Sequence, residues 1–425
     1  PFVERGCFES SDPDHARIWE ISWRTARLCA HETYEDCPYY EQLQYGGDTQ
    51  VQAMISYYVA GDPSLARQFL YQYDWSRTSN GLTRSRYPAR VPQTIPFWSH
   101  HWVMSVYDYW RHTGDMKTVN DLLPGVLAVM EYFNRRITSD GIVGTLDGWL
   151  CADWCPQWTD EIDGNGVPPG TRRGQSAFVS LISAAALSNT IELVKAAGAP
   201  ATHLRARLRA LKEAAHRMFF DSARGLYRDL PDGQLASAYT NVWAILADMP
   251  CDHSVLANHI VSDRSLCQLT MFSTYFAYRA LAKAGCYELA PALLMPWRRM
   301  LEAGLTTCPE IPDFTRTRSF CHAWSAAPPV EFLREILGVY PAEPGYTVIG
   351  IAPKTCGLAF ARGRVPLPNE SNGSERYVDV AWRIEDSDFH IEVNAPEGVP
   401  CILRMPNKTL RRHANGGCFS HSTPL

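Results

Sequence analysis

The densest cluster of groups able to do chemistry is the segment YEDCPYYEQLQYGGD, residues 34–48. It carries Asp36, Glu41 and Asp48, interleaved with Tyr34, Tyr39, Tyr40 and Tyr45. Pro38 and the Gly46-Gly47 pair interrupt regular structure, so these carboxylates stand on a constrained loop. Carboxylates among aromatic rings suit two tasks. Desolvation by the rings can raise one pKa and make that group a proton donor, while the others, kept ionised, accept hydrogen bonds from hydroxyls. The same segment also reads as solvated acids ahead of a helix. A second cluster, TTCPEIPDFTRTRSFCHAWSAAP, places Glu310 and Asp313 on a loop held out of helix by Pro309 and Pro312. His322 and Trp324 then open the next helix. His322 alone reads as a core or capping histidine as readily as a ligand. A third stretch, about residues 138–173, gathers Trp149, Asp153, Trp154 and Trp158 among Gly and Pro. A long ordered loop in a compact domain is usually functional, so this one reads as a lid or a stacking wall, with a satellite aromatic core as the alternative.

These groups need a scaffold, and the first ~338 residues supply one by reading as helix after helix. Asp12-Pro13 gives an N-cap followed by Pro at the first helical position. Gly61, Gly114, Gly198 and Gly285 each sit where a helix C-cap would need a left-handed residue. Twelve helices are expected, roughly over 13–30, 47–60, 63–77, 97–113, 116–137, 174–198, 201–220, 236–247, 253–261, 270–284, 287–304 and 321–337. Twelve helices in antiparallel pairs make six hairpins, and a closed ring of them is an (α/α)6 barrel, with an open solenoid as the competing architecture. In a closed ring the first and last helices are neighbours. Glu41 and Glu310 would then face each other across one pocket, and two carboxylates flanking a sugar ring is the arrangement of a glycosidase. After about residue 338 the texture changes to short β-branched and aromatic runs between Pro, Gly, Asn and Asp. The expected organisation is therefore mainly α: a six-hairpin barrel over 1–338 and a small antiparallel β-sandwich over 339–425.

Composition narrows the functions. The chain has 425 residues, 46% of them hydrophobic and 20% charged, which fits a folded protein with a sizeable core. The net charge of −5 argues against a nucleic-acid partner held by phosphate contacts. No unbroken apolar run approaches the ~18 residues of a membrane span, so no membrane partner is expected. No GxGxxG, P-loop or G-x-S-x-G occurs, so hydride transfer, phosphoryl transfer and serine hydrolysis lose weight. The adjacent His100 and His101 point to different helix faces and make a poor metal pair. The thirteen cysteines contain no C-x-x-C and read mostly as buried free thiols. Asn369, Asn372 and Asn407 open N-x-S/T triplets. The chain begins at Pro1 without a leader, so it reads as processed or truncated, and secreted, periplasmic and cytoplasmic placements all stay open.

At its two acidic clusters the chain resembles the α-L-rhamnosidases of glycoside hydrolase family 78. That family's signature is D-C-P-x-x-E-R-x-G-x-x-G-D, and DCPYYEQLQYGGD keeps its Asp, Cys, Pro, Glu, Gly and final Asp at matching spacing. The second family block, an acid in a Thr-rich loop before C/S-H-x-W-S-A-x-P, matches Glu310 and CHAWSAAP. The resemblance covers nearly the whole chain. It implies that Glu41 is the general acid and Glu310 the general base of an inverting hydrolysis that releases a terminal α-L-rhamnosyl unit. It implies that Asp36 and Asp48 bind sugar hydroxyls, that Trp149, Asp153 and Trp154 form a wall of the subsite, and that His322, beside Trp324, is a hydroxyl ligand. It implies a carbohydrate substrate, no cofactor and no metal, and further β domains upstream in the same protein. Three departures stand out: Gln42 replaces the usual Arg, Gln44 the usual Gly, and Ser99 an Asp common in relatives. They leave room for another 6-deoxy sugar or a modified rhamnoside. Two rivals remain: another (α/α)6 enzyme, such as an unsaturated uronyl hydrolase that would need a basic pocket, and a sugar-binding protein without catalysis.

Overall fold

The N-terminal part of the chain builds two concentric layers of helix. The computed structural model describes residues 3–368 and 375–425, so the triplets at Asn369 and Asn372 lie outside the described residues. The helices are α1 (Pro13–Leu28), α2 (Gly46–Ile55), α3 (Ser64–Trp75), α4 (Pro96–Thr113), α5 (Met116–Asn134), α6 (Ala177–Ala196) and α7 (Thr202–Phe219). They continue with α8 (Ala238–Leu246), α9 (His253–Ser262), α10 (Met271–Ala284), the short α11 (Ala290–Leu293), α12 (Met295–Glu302) and the short α13 (Pro328–Glu331). Asp12 caps α1 by accepting the Asp14 N–H, with Pro at the first position. The four expected caps Gly61, Gly114, Gly198 and Gly285 all have φ between 64° and 75°.

The inner layer closes on itself. α2 packs on α4, α4 on α6, α6 on α8, α8 on α10, α10 on the 3-10 turn Ala323–Ala326, and that turn on α2. An open solenoid has no such return contact, so the ring is an (α/α)6 barrel. Inner helices are enclosed by their neighbours: every residue of α2 is buried, its polar Asp48, Thr49, Gln50 and Gln52 included. α6 is long and apolar enough to cross a membrane by length and composition alone, but 83% of its most apolar window is buried inside the barrel. A search for an unbroken apolar run passes over it. Outer helices keep one apolar stripe, as in α7, where Leu204, Leu211, Ala214 and Ala215 are buried and the arginines face out.

Two expected helices are less regular than their periodicity suggests. The segment expected over 287–304 is a 3-10 turn followed by α11 and α12, because Pro291 and Pro296 each restart the helix. The final helix runs as the turn Ala323–Ala326, α13 and a π turn over Phe332–Ile336.

The C-terminal part pairs a five-stranded sheet with a four-stranded one. The first runs Cys7–Ser10, Phe360–Leu367, Arg376–Glu385, Asp388–Ala395, Gly417–Pro424, antiparallel throughout. The N-terminal strand Cys7–Ser10 thus adds to a sheet made of residues more than 340 positions later. The second sheet is not purely antiparallel: Cys401–Arg404 runs parallel to Ile349–Ile351. Alternation puts Val378, Val380 and Trp382 on the inner face, and the Trp382 indole N–H reaches the Ile336 carbonyl at 2.9 Å, tying the sheet to the last helix of the barrel.

Candidate active site

The N-terminal ends of the inner helices converge on one pocket. It is lined by Asp36, Glu41, Tyr45, Asp48, Ile95, Trp98, Trp149, Cys151, Ala152, Asp153, Trp154, Glu310, His322 and Trp324. Asp36, Glu41, Asp48, Trp149, Asp153, Trp154, Glu310, His322 and Trp324, all expected at the site, are therefore brought together, whereas Asp313 and Trp158 do not line it. Asp48 lies in the first turn of α2 and Trp98 in the first turn of α4. Helix N-termini carry partial positive charge, which favours carboxylates there by roughly 0.3–1 kcal/mol each.

The loop from α1 to α2 is clasped by Asp36. Its backbone N–H donates to the Leu43 carbonyl at 2.9 Å, and its Oδ1 accepts the Leu43 N–H at 3.0 Å. Gln42, at φ 55°, sits in the left-handed region, and its side-chain amide closes the turn by donating to the Pro38 carbonyl at 2.9 Å. Gln44 is buried behind the loop, donating to Gln72 at 2.8 Å and to the Tyr87 carbonyl at 2.7 Å. Ser99 bonds Thr83 at 2.9 Å and is buried. None of the three departures from the motif lines the pocket; each does structural work beside it. Burial pushes the Asp36 carboxyl up to about 6 against the pull of His322.

Glu41 stands at the side of the pocket and forms an ion pair with Arg318 from the loop after α12. Burial pushes its carboxyl up. Hydrogen bonds from Tyr45 and Arg318, with the charges of Arg318 and His322, outweigh that and hold it below the usual carboxylate range. Tyr45 is in turn bonded by Arg86 at 2.9 Å. Glu310 is nearly buried and receives the Trp154 indole N–H at 2.9 Å on Oε1, while the Trp324 indole N–H caps its backbone carbonyl at 2.9 Å. Trp154, expected from sequence in the sugar wall, and Trp324 thus also hold the loop carrying Glu310. His322 Nε2 lies 3.2 Å from Asp48 Oδ1, both side chains buried. Burial disfavours the charged imidazole, but Asp48 and Cys37 beside it and the Glu310 charge hold its pKa well above the usual value.

Asp153 points away from open space. Its carboxylate accepts the hydroxyls of Thr270 and, at 2.5 Å, Ser273 in the first turns of α10, and the Trp154 backbone N–H at 2.7 Å. It thereby pins the long loop to the barrel rim. Trp158, fully buried against Tyr239, anchors the same loop from inside, so this tryptophan is core. Arg172 locks the outer arm through Asp160 at 2.8 Å and Asp163 at 2.6 Å. Trp98 is the wall residue the sequence reading missed. Its indole lies over the start of α2, where a Cβ on Gly47 would come within 2.7 Å of the ring. The signal was the GG pair, which requires a close neighbour.

Among the described residues one group has the makeup of a metal set: Asp36, Cys37 and His322, with ligand atoms within 4.8 Å of one another. Cys37 and His322 are already engaged, the Cys37 thiol donating to Asp36 at 2.9 Å and His322 Nε2 lying 3.2 Å from Asp48. A charged imidazole has no lone pair free for a cation. All thirteen cysteines are free, eight of them buried.

A closed ring of six helical hairpins with a carboxylate-and-indole pocket at its rim defines the six-hairpin glycosidase class. The chain belongs to the bacterial alpha-L-rhamnosidase family: the model of its 6 hairpin glycosidase domain matches residues 3–337, and that of its C-terminal domain matches residues 338–418. No match is found among curated proteins. Among solved structures, a GH78 family rhamnosidase of Bacillus sp. GL1 superposes with a TM-score of 0.86 at 30% identity, over 96% of this chain and 43% of that one. The Streptomyces avermitilis alpha-L-rhamnosidase complexed with L-rhamnose gives 0.81 at 17% identity, over 100% and 42%. A GH63 mannosylglycerate hydrolase from Thermus thermophilus gives 0.53 at 12%, over 74% and 99%. The chain spans less than half the length of the two rhamnosidases.

Proposed function

We propose that the protein hydrolyses terminal α-L-rhamnosides with inversion, the barrel over 1–338 being the catalytic unit and residues 339–425 an accessory domain. The observation that carries this reading is that Glu41 and Glu310, on loops at opposite ends of the barrel sequence, line one pocket with three further acids and four indoles. Glu310 takes a proton from water as its oxygen attacks the anomeric carbon. The bond from that carbon to the aglycone oxygen breaks as Glu41 delivers its proton to the leaving oxygen. Glu310 then holds a proton and Glu41 is ionised, and exchange with solvent restores both. The Trp154 N–H on Oε1 keeps Glu310 oriented. Asp36, Asp48 and His322 accept and donate to sugar hydroxyls, and Trp98, Trp149 and Trp324 offer flat faces to the ring and its methyl group. Metal and cofactor play no part in this scheme.

The test is product stereochemistry and two variants of the full-length protein. NMR of fresh product should show β-L-rhamnose from an α-L-rhamnoside. Glu310→Gln should lose turnover by about a thousandfold or more on every substrate, and Glu41→Gln should lose it mainly where the leaving group is poor. Retention of configuration, or unchanged rates in either variant, would defeat the assignment.

A further inference from the structure

The proton donor marks where the leaving group lies, so the surroundings of Glu41 on its outer side define the aglycone subsite. This inference rests on the proposed hydrolysis. What stands there is a cation and two exposed rings. Arg318 is half-exposed and pairs with Glu41 through one guanidinium nitrogen. Its guanidinium carbon lies 5.2 Å from the centroid of Tyr40, and Tyr40 meets Tyr39 edge-on at 5.1 Å. These are among the more exposed large side chains of the chain, 52% and 79% accessible. The enclosed pocket, in contrast, has no Lys or Arg among its described lining residues. A carboxylate on the sugar inside the pocket would find no guanidinium, which counts against the uronyl hydrolase alternative. A carboxylate on the leaving sugar would meet the guanidinium directly.

We propose that Arg318 and Tyr40 form an aglycone subsite for a hexuronic acid, whose carboxylate takes over the guanidinium from Glu41. A planar carboxylate matches the Arg fork with two parallel bonds, and Glu41 occupies only one of its nitrogens. The pyranose ring of the uronate lies against Tyr40, which is 52% accessible. The exchange also arms the acid. While paired, Glu41 is held as carboxylate and has no proton to give. The groups facing it are Arg318, Tyr45 (with Arg86 behind it), His322 and Asp48. Once the uronate neutralises Arg318, Glu41 takes a proton from solvent and can deliver it to the glycosidic oxygen. The cognate substrate thus removes the contact that keeps the enzyme idle, and neutral aglycones are cleaved only by the fraction in which Glu41 is already protonated.

The test uses the full-length protein with two disaccharides: rhamnosyl-glucuronate, and the same compound with the carboxylate replaced by the hydroxymethyl of glucose. The wild type should favour the uronate in kcat/KM by about tenfold to a hundredfold, the range of a charge-assisted hydrogen-bonded pair. Arg318→Gln should bring the ratio to within about threefold, by losing rate on the uronate and gaining it on the neutral disaccharide. On the neutral disaccharide the alkaline limb of the variant's pH profile should also move up, because Glu41 loses the charge that holds it ionised. A wild type indifferent to the carboxylate, or a preference that survives in Arg318→Gln, overturns the subsite while leaving rhamnoside hydrolysis standing. Failure of the wild type on an aryl rhamnoside overturns the hydrolytic reading, and the subsite with it.

Discussion

Nε2 of His322 and Oδ1 of Asp48 lie 3.2 Å apart in a place where neither side chain meets solvent, 4% and 3% exposed. A buried pair of opposite charges is costly to break by removing one member, about 3–5 kcal/mol, because the survivor is left unpaired. Asp48→Asn should therefore lower the thermal midpoint more than a surface substitution does, and Asp48→Asn/His322→Asn should cost less than the two single changes together. The pH dependence follows from the histidine. Its folded pKa is raised well above the usual value, so the histidine's contribution is full below an unfolded pKa of about 6.5 and is lost as pH rises through the folded one, while burial raises the Asp48 carboxyl as well. The penalty of Asp48→Asn, measured by thermal unfolding, should be larger near pH 6 than at strongly alkaline pH. An equal penalty at both would mean that the imidazole is neutral.

Trp154→Phe removes the single N–H that Glu310 Oε1 receives from the tryptophan wall while keeping an aromatic face. Losing a hydrogen bond to a charged group costs about 1.5–3 kcal/mol, so kcat should fall roughly tenfold to a hundredfold with a smaller change in KM. A change confined to KM would show that Trp154 only touches the sugar.

The helical architecture was legible because its signals are local. Gly61, Gly114, Gly198 and Gly285 mark C-caps by a backbone preference that needs no tertiary partner, and all four caps stand in the structure. Asp36, Glu41 and Glu310 were legible because Pro38, Pro309 and Pro312 hold them on loops, whereas Gly46-Gly47, expected to break regular structure, instead open α2 and put Asp48 in its first turn. What stayed hidden was set by contacts distant in sequence. Cys7–Ser10 is four residues long and becomes a strand only by pairing with Phe360–Leu367. Trp98 looks like any aromatic in an inner helix until the ring closes and brings its indole to the pocket. The pairing of Arg318 with Glu41 joins two loops whose approach follows from that same closure. The parallel register of Cys401–Arg404 with Ile349–Ile351 leaves no trace in alternation, which is the same for either strand direction.

Gly47→Ala tests how tightly α2 and α4 approach at the pocket. A Cβ there would lie 2.7–2.9 Å from three ring carbons of Trp98, too close for an indole packed on Phe272 to yield cheaply. Overpacking of this kind costs about 1–3 kcal/mol. The expected outcome is a lower thermal midpoint together with weaker substrate binding, read as a raised KM, because Trp98 must tilt toward the sugar. A variant with wild-type stability and KM would show that the two helices have room to spare.

Asp153 gives a prediction of the same sign in a more acidic pH window. Burial pushes its carboxyl from 3.8 up to about 6, against the bonds from Ser273 and Thr270 that favour the ionised form. A raised carboxyl pKa means that the folded state holds its proton more tightly than the unfolded chain. This contribution is full below about pH 4, lost as pH rises through 6, and leaves a buried charge that costs roughly 3 kcal/mol at neutral pH. Asp153→Asn keeps the shape and removes the charge. Its thermal midpoint relative to wild type should therefore be more favourable at pH 7 than at pH 4.5, even as activity falls because Trp154 is no longer held as firmly for Glu310. Parallel curves at the two pH values would mean that the hydroxyls of Thr270 and Ser273 fully compensate the buried charge, and that the folded carboxyl titrates where a solvated one does.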